Sequence, residues 1–265
     1  DPRRDKDHGR VWRITAKDRP LVKKPKLVDA PLPKLVDHLK SPEQWTRHQA
    51  RNVLAERDRD AVAKELAAWV NKLDPKDSDH DHHLVEAMWA CQNVERPSED
   101  ILLRVLSAKD GHARSAGARV IRYWHEKLSD PVALLAKAAA DPFPRVRMEA
   151  ILSAGYIPKA EAFSAALVAL DHPRDAAIDI ALPQTVNALE SLWRPLLEAN
   201  KLKFDKESHR DFAEREAGIG FEKRLGTYLK KKSPGLDETR SIIDRLVSDA
   251  NVKQARMVVD AVSRK

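Results

Sequence analysis

The chain has 265 residues, of which 34% are charged and 5% aromatic, and its formal net charge is +7. That length can bury a sizeable core, and an apolar set dominated by Ala, Leu and Val among many charges is the profile of exposed helices with narrow apolar stripes. A single cysteine, Cys91, excludes a fold held by an internal disulfide, and no apolar run approaches the roughly 20 residues of a membrane helix. No secretory hydrophobic segment is present, and a start at Asp1 rather than Met leads us to expect an excised or processed piece of a longer protein.

The positive charge is unevenly placed. Residues 1–30 carry ten Lys/Arg against five Asp/Glu, and residues 221–265 carry eleven against six. The body between them, 31–220, has 27 basic and 30 acidic residues and is therefore −3. A nucleic-acid-binding array would be expected to concentrate its cations in the groove-forming body rather than in the flanks.

In chain order, residues 1–30 read as an extended linker. Within it, Gly9-Arg10-Val11-Trp12-Arg13-Ile14-Thr15 alternates like one short strand, which is not stable alone. From Ala30 helical patterns begin. Leu32, Leu35, Val36 and Leu39 form a first apolar stripe; Ser41-Pro42-Glu43 ends it and is expected to start the next helix with Pro42 at its first position, Trp45, Ala50, Val53 and Leu54 facing the stack. Further pairs are expected over 61–73 with 82–94, 98–108 with 112–128, 131–140 with 144–155, and 160–170 with 175–189. Beyond Trp193 the register is harder to follow, with helices expected over 191–199, 210–217, 221–229, 237–248 and 252–262. The last two carry the stripes Ile242, Ile243, Leu246, Val247 and Val258, Val259, Val262.

One pattern is written twice. Arg114 precedes Gly117, Ala118 and Ile121, and 33 residues later Arg147 precedes Ala150, Ile151 and Ala154. Arg47, before Ala50, Val53 and Leu54, lies 67 residues before Arg114, about two more periods. Self-similarity at this period predicts an all-α fold, a right-handed α-solenoid of HEAT-like helix pairs with a short N-terminal extended or β segment. The expected layout is an extended linker with one short strand over 1–30, about five repeat pairs over 31–190, and degenerate capping helices over 191–265. Small residues at the equivalent positions Ala50, Gly117 and Ala150 would let helices approach closely.

Candidate chemistry is sparse. Asp79-His80-Asp81-His82-His83 offers His80, His82 and His83 as metal ligands, but adjacent histidines at the start of a helix point about 100° apart, and the i, i+4 spacing of a shared site is missing. Cys91 reads as a nucleophile beside His112 or His125, or as a small buried residue on the stripe of a helix. Arg47, Arg114 and Arg147 read either as a ridge that binds a partner's anionic groups or as struts from one repeat to the next. Trp45, Trp69, Trp89, Trp124 and Trp193 fall among Leu and Val as packing residues, with base stacking as the other use of such a row. No phosphate loop, haem-attachment motif, nucleophile elbow or HExxH is present, so no catalytic residue and no cofactor site is assigned.

Several phrases resemble a known family. Gly9-Arg10-Val11-Trp12-Arg13-Ile14-Thr15 and Leu21-Val22-Lys23-Lys24-Pro25-Lys26-Leu27 are similar to the end of the soluble-dehydrogenase-like β-propeller, and its linker, in large planctomycete-type membrane-bound dehydrogenase-like proteins. Those proteins combine a propeller, HEAT repeats and a c-type cytochrome module. The likeness continues in Leu39-Lys40-Ser41-Pro42-Glu43-Gln44-Trp45, His82-His83-Leu84-Val85-Glu86-Ala87-Met88-Trp89, Ala118-Arg119-Val120-Ile121-Arg122-Tyr123-Trp124, Pro144-Arg145-Val146-Arg147-Met148-Glu149-Ala150 and Leu170-Asp171-His172-Pro173. The resemblance implies the HEAT segment of an exported or periplasmic redox protein, with protein domains of the same or another chain as partners. Ala176 and Ile180 depart from it, standing where more aromatic character is expected. The haem and quinone sites of such relatives have no counterpart in these residues. The other class left open is a HEAT-type nucleic-acid-binding protein resembling the alkylpurine DNA glycosylases.

Overall fold

The structure, a computed structural model, describes residues 14–15, 17–18, 20, 23–231, 235–249 and 252–262. Among these the regular structure is helical, with no strand, so the chain is all-α. The strand expected over 9–15 lies largely outside the described residues; Ile14 and Thr15 have no regular structure and are exposed. The described residues form two compact units. One takes the residues up to Lys72 with Ala90–Arg96, the other Leu73–Trp89 and the residues from Pro97 on.

In the first unit, α1 (Leu32–Asp37) runs into a 3-10 turn, His38–Lys40, and is followed by α2 (Gln44–Ala55) and α3 (Arg59–Val70). Their buried stripes, Leu35-Val36-Leu39, Ala50-Leu54 and Val62-Leu66, meet with no exposed surface. Two expectations are corrected. Pro42 is not the first helical residue: Glu43 is the N-cap, and Ser41 Oγ donates to its carboxylate at 2.6 Å. Trp45 does not face the core and is 54% exposed, because the buried stripe of α2 runs Thr46-Ala50-Leu54 and its neighbour Trp45 is turned about 100° away.

Helix α4 (His80–Asn93) gives its first part to the second unit and its end to the first. The second unit continues with α5 (Glu99–Leu106), α6 (Gly111–Trp124) and its 3-10 extension His125–Lys127, α7 (Pro131–Ala139), α8 (Pro144–Ala154), α9 (Ala160–Leu167) and its 3-10 extension Val168–Asp171, and α10 (Ala176–Ala188). Side-chain caps set several starts. Ser98 accepts from Ile101 N–H, Asp110 from His112, Asp130 from Ala133 and Asp175 from Ile178, each supplying an acceptor to a helix-end donor that has no partner within the helix. From α5 to α10 the closest packing joins each helix to the next and to the next but one: α6 lies on α8, α8 on α10 and α7 on α9.

Close approach depends on small residues. A Cβ added at Gly117 would stand 3.0 Å from Leu106 Cδ2 and 3.1 Å from Val105 Cγ1, so α6 touches α5 at van der Waals limit there. Beyond α10 come α11 (Glu190–Glu198), α12 (Glu207–Glu216), α13 (Phe221–Tyr228), α14 (Leu236–Asp249) and α15 (Val252–Val262). Trp193 of α11 stacks on Phe163 of α9, centroids 4.5 Å apart, and donates its indole N–H to Val186 O at 2.9 Å. Phe221, Leu225 and Ile242 make a small cluster with Leu246, Met257 and Val258. Only part of each expected C-terminal stripe is buried, since Ile243, Val247 and Val259 remain exposed.

Replacing Gly117 by Leu should destabilise the chain by about 1–3 kcal/mol through overpacking against Val105 and Leu106. A lowered urea midpoint with an unchanged m-value is the expected result.

Candidate functional site

The loops that lead into α2, α6 and α8 each leave backbone carbonyls outside the helical ladder, and such groups need donors. The repeated arginines supply them in one geometry. Arg47 donates to Ser41 O and Pro42 O at 2.8 and 2.9 Å, Arg114 to Ala108 O and Lys109 O at 2.9 and 2.8 Å, and Arg147 to Asp141 O and Pro142 O at 2.7 and 3.0 Å. In every case one Nη1 spans the carbonyls six and five residues earlier. The other side of the guanidinium reaches onward. Arg114 grips Asp141 through two bonds, at 2.7 and 2.9 Å, and Arg147 donates to Pro173 O at 2.6 Å. Arg147 is 2% exposed. The three arginines are therefore committed within the chain; Arg114 ties the start of α6 to the loop before α8, and Arg147 ties the start of α8 to the loop before α10.

Asp81, 33 residues before Arg114, occupies the same place in the period with opposite polarity. Its Oδ2 accepts from the backbone N–H of Asp110 at 2.8 Å, so here the side chain is the acceptor and the following loop the donor. Burial opposes its ionisation, but the N–H groups of Asp110 and Lys109 and the neighbouring His80 hold its carboxyl below the usual range. At the far end of the series Ile180 follows Arg147 by 33 residues and is 64% exposed, without any such grip.

A second set of links joins α6, α8 and α10 directly. Ser153 Oγ of α8 donates to Ala118 O of α6, and Thr185 Oγ1 of α10 donates to Ile151 O of α8, both at 2.8 Å and both buried. Between the same helices Arg122 donates to Glu149 at 2.6 Å and to Ser153 Oγ at 3.1 Å, with side-chain exposures of 9% and 8% for the ion pair. This guanidinium also lies against two phenol rings, 6.0 Å from the Tyr123 centroid and 5.2 Å from that of Tyr156. Both rings face outward, 56% and 63% exposed. Pinned from below by Glu149 and Ser153, Arg122 lies against a pair of exposed tyrosines, Tyr123 on α6 and Tyr156 in the turn that follows α8. Sequence reasoning alone misses these residues, although Tyr123 and Tyr156 are 33 residues apart and follow Arg114 and Arg147 at the same distance. The period holds the signal; the exposure does not show in it.

The histidine cluster is dispersed. His80 Nδ1 is 3.2 Å from Asp81, His82 Nε2 is 3.6 Å from Glu86 and His83 Nδ1 is 3.7 Å from Asp77, so each ring turns toward its own carboxylate. The rings of His82 and His83 are 6.2 Å apart. Among the described residues no three His, Cys, Asp or Glu side chains converge as metal ligands. Cys91 is 1% exposed, and burial pushes its thiol up to about 12, which leaves it a neutral core residue. Trp69, Trp124 and Trp193 are buried, Trp89 is half-buried, and Trp45 is exposed. No family model matches the chain, and no curated protein matches it significantly.

Two outcomes follow from the ion pairs. Arg122→Met leaves Glu149 buried without its cation and should cost about 3–5 kcal/mol, whereas adding Glu149→Met should recover most of the loss, as read from urea midpoints of the single and double variants. Asp141 is partly desolvated, which raises its pKa. The Arg114 bonds and the Phe143 N–H outweigh this and hold it below the usual carboxylate range. A depressed folded-state pKa contributes stability that is full above the unfolded value and lost as pH falls through the folded one. Stability should therefore decline on acidification below the ordinary aspartate range, and Arg114→Gln should flatten that decline in denaturation midpoints measured across pH.

Proposed function

We propose that this chain is a right-handed α-solenoid of HEAT-like helix pairs that serves as a non-catalytic protein-interaction module. The observation that carries this reading is the recurrence of links between successive inner helices. Arg114 and Arg147 grip the following loops, and Ser153 and Thr185 hydroxyls bond the preceding helices. A solenoid is held together by interfaces between neighbouring repeats, and links of this kind recurring from one helix to its neighbour fit that arrangement. Linked helices that present Tyr123 on α6 and Tyr156 just after α8 are a surface suited to a protein, because Tyr and Arg are among the side chains that most often anchor interfaces. On the phrases that resemble planctomycete-type dehydrogenase-like proteins, we place the module in a larger exported redox protein, where it would space or dock other domains.

The nucleic-acid reading is less well supported. Its arginine ridge is the set Arg47, Arg114 and Arg147, whose donors go to carbonyls and to Asp141, and residues 31–220 carry a net charge of −3. A duplex oligonucleotide titrated against the chain at physiological ionic strength should show only weak association. Tight binding with a log–log salt slope of several units would overturn the interaction-module reading.

A further inference from the structure

We propose that the outward face shared by α6 and α8 binds an extended acidic segment of a partner protein, with carboxylates at Arg119 and Arg145 and apolar or proline residues against Tyr123 and Tyr156. This rests on the interaction-module reading and names the chemistry of its partner.

The charge of these two helices runs against that of the body around them. Their ionised side chains are Arg114, Arg119, Arg122, Arg145, Arg147 and Glu149, five cations to one carboxylate, in a body that is net negative. Three of the five are committed: Arg114 to Asp141, Arg122 to Glu149, and Arg147 to backbone carbonyls. Arg119 and Arg145 remain exposed, and among the described residues neither forms an ion pair. The adjoining turns bring Lys109, Asp110, Glu126, Lys127 and Asp141, which together remove one positive charge and leave the face net positive. The local field is therefore positive, and its free guanidiniums are two.

The shape of the face agrees with an extended ligand. On α6, Arg119 and Tyr123 are four residues apart and share one face of the helix. On α8, Arg145, Met148, Leu152 and the following Tyr156 recur at three- and four-residue steps, with Met148 and Leu152 half-buried between the exposed ends. Cation, apolar floor and phenol thus alternate along roughly three helical turns. Arg122 fixes both rings from below, so little side-chain freedom is lost when a segment settles on them. A guanidinium recognises a carboxylate through paired hydrogen bonds, and proline rings pack on exposed aromatic rings without further ordering of an already extended backbone. A nucleic acid would need many phosphates neutralised at once, and two uncommitted arginines do not provide that.

The test is fluorescence anisotropy of a fluorescein-labelled alternating Glu-Pro peptide with the whole chain, run beside Lys-Pro and Ser-Pro peptides and a single-stranded oligonucleotide. The expected result is saturable binding of the Glu-Pro peptide that weakens with added salt and falls about tenfold in R119A/R145A, a change of roughly 1.4 kcal/mol. Y123A/Y156A should weaken it independently, with unchanged circular dichroism in both double variants, and the Lys-Pro peptide should not bind. Absence of Glu-Pro binding, or binding indifferent to R119A/R145A, overturns the acidic partner. If the Ser-Pro peptide binds as well and is lost in Y123A/Y156A, the acidic class fails while the interaction-module reading stands. An oligonucleotide that binds tightly and displaces the peptide overturns both.

Discussion

The second unit depends on how unpaired carbonyls are satisfied where one helix ends and the next begins. A short loop between packed helices exposes two or three C=O groups to a partly dry environment, where each unmet acceptor costs on the order of 1–3 kcal/mol. Arg114 and Arg147 meet that demand with a planar set of donors long enough to span two consecutive carbonyls and still reach the following loop. Lysine could not make the same connection, because its donors radiate from one atom. The requirement explains why a cation recurs at this position in a region of negative net charge, and why Arg147 tolerates burial.

Around that constraint the other features fall into place. Helices tied at their starts must also fit along their sides: Gly117 lets α6 close on α5, and α8 lies near enough to α6 for Ser153 to reach the Ala118 carbonyl. The closeness that permits this bond also dries the Arg122–Glu149 pair. A buried ion pair adds little net stability compared with apolar residues of the same volume. What it does add is a fixed guanidinium beneath two tyrosine rings. A structural necessity between α6 and α8 thereby sets the geometry of the surface outside them.

The helical content and most element positions are legible in the amino-acid sequence. Ser98, Asp110, Asp130 and Asp175 each begin a helix with a side-chain cap, and the apolar stripes follow with 3.6-residue spacing, so starts and faces can be read locally. Where local signals compete, the pattern misleads. Pro42 favours a helix start, but Ser41 and Glu43 form their own hydrogen bond and delay it. Ile243, Val247 and Val259 are as apolar as their buried neighbours, yet the chain covers only Ile242, Leu246 and Val258 closely. The histidines are adjacent in sequence and, with each ring drawn to a different carboxylate, do not act together in space.

By itself, the sequence determined the all-helical character and the 33-residue spacing that singles out Arg114 and Arg147, because caps, apolar spacing and composition act over a few residues. Only the tertiary structure decided what those arginines do. Whether a guanidinium faces a ligand or a loop depends on which backbone groups the packing of distant helices leaves without partners. It also separated Tyr123 and Tyr156, exposed over Arg122, from Trp124 and Trp193 in the core, since an aromatic residue at helical spacing carries no local sign of which side the next helix will cover.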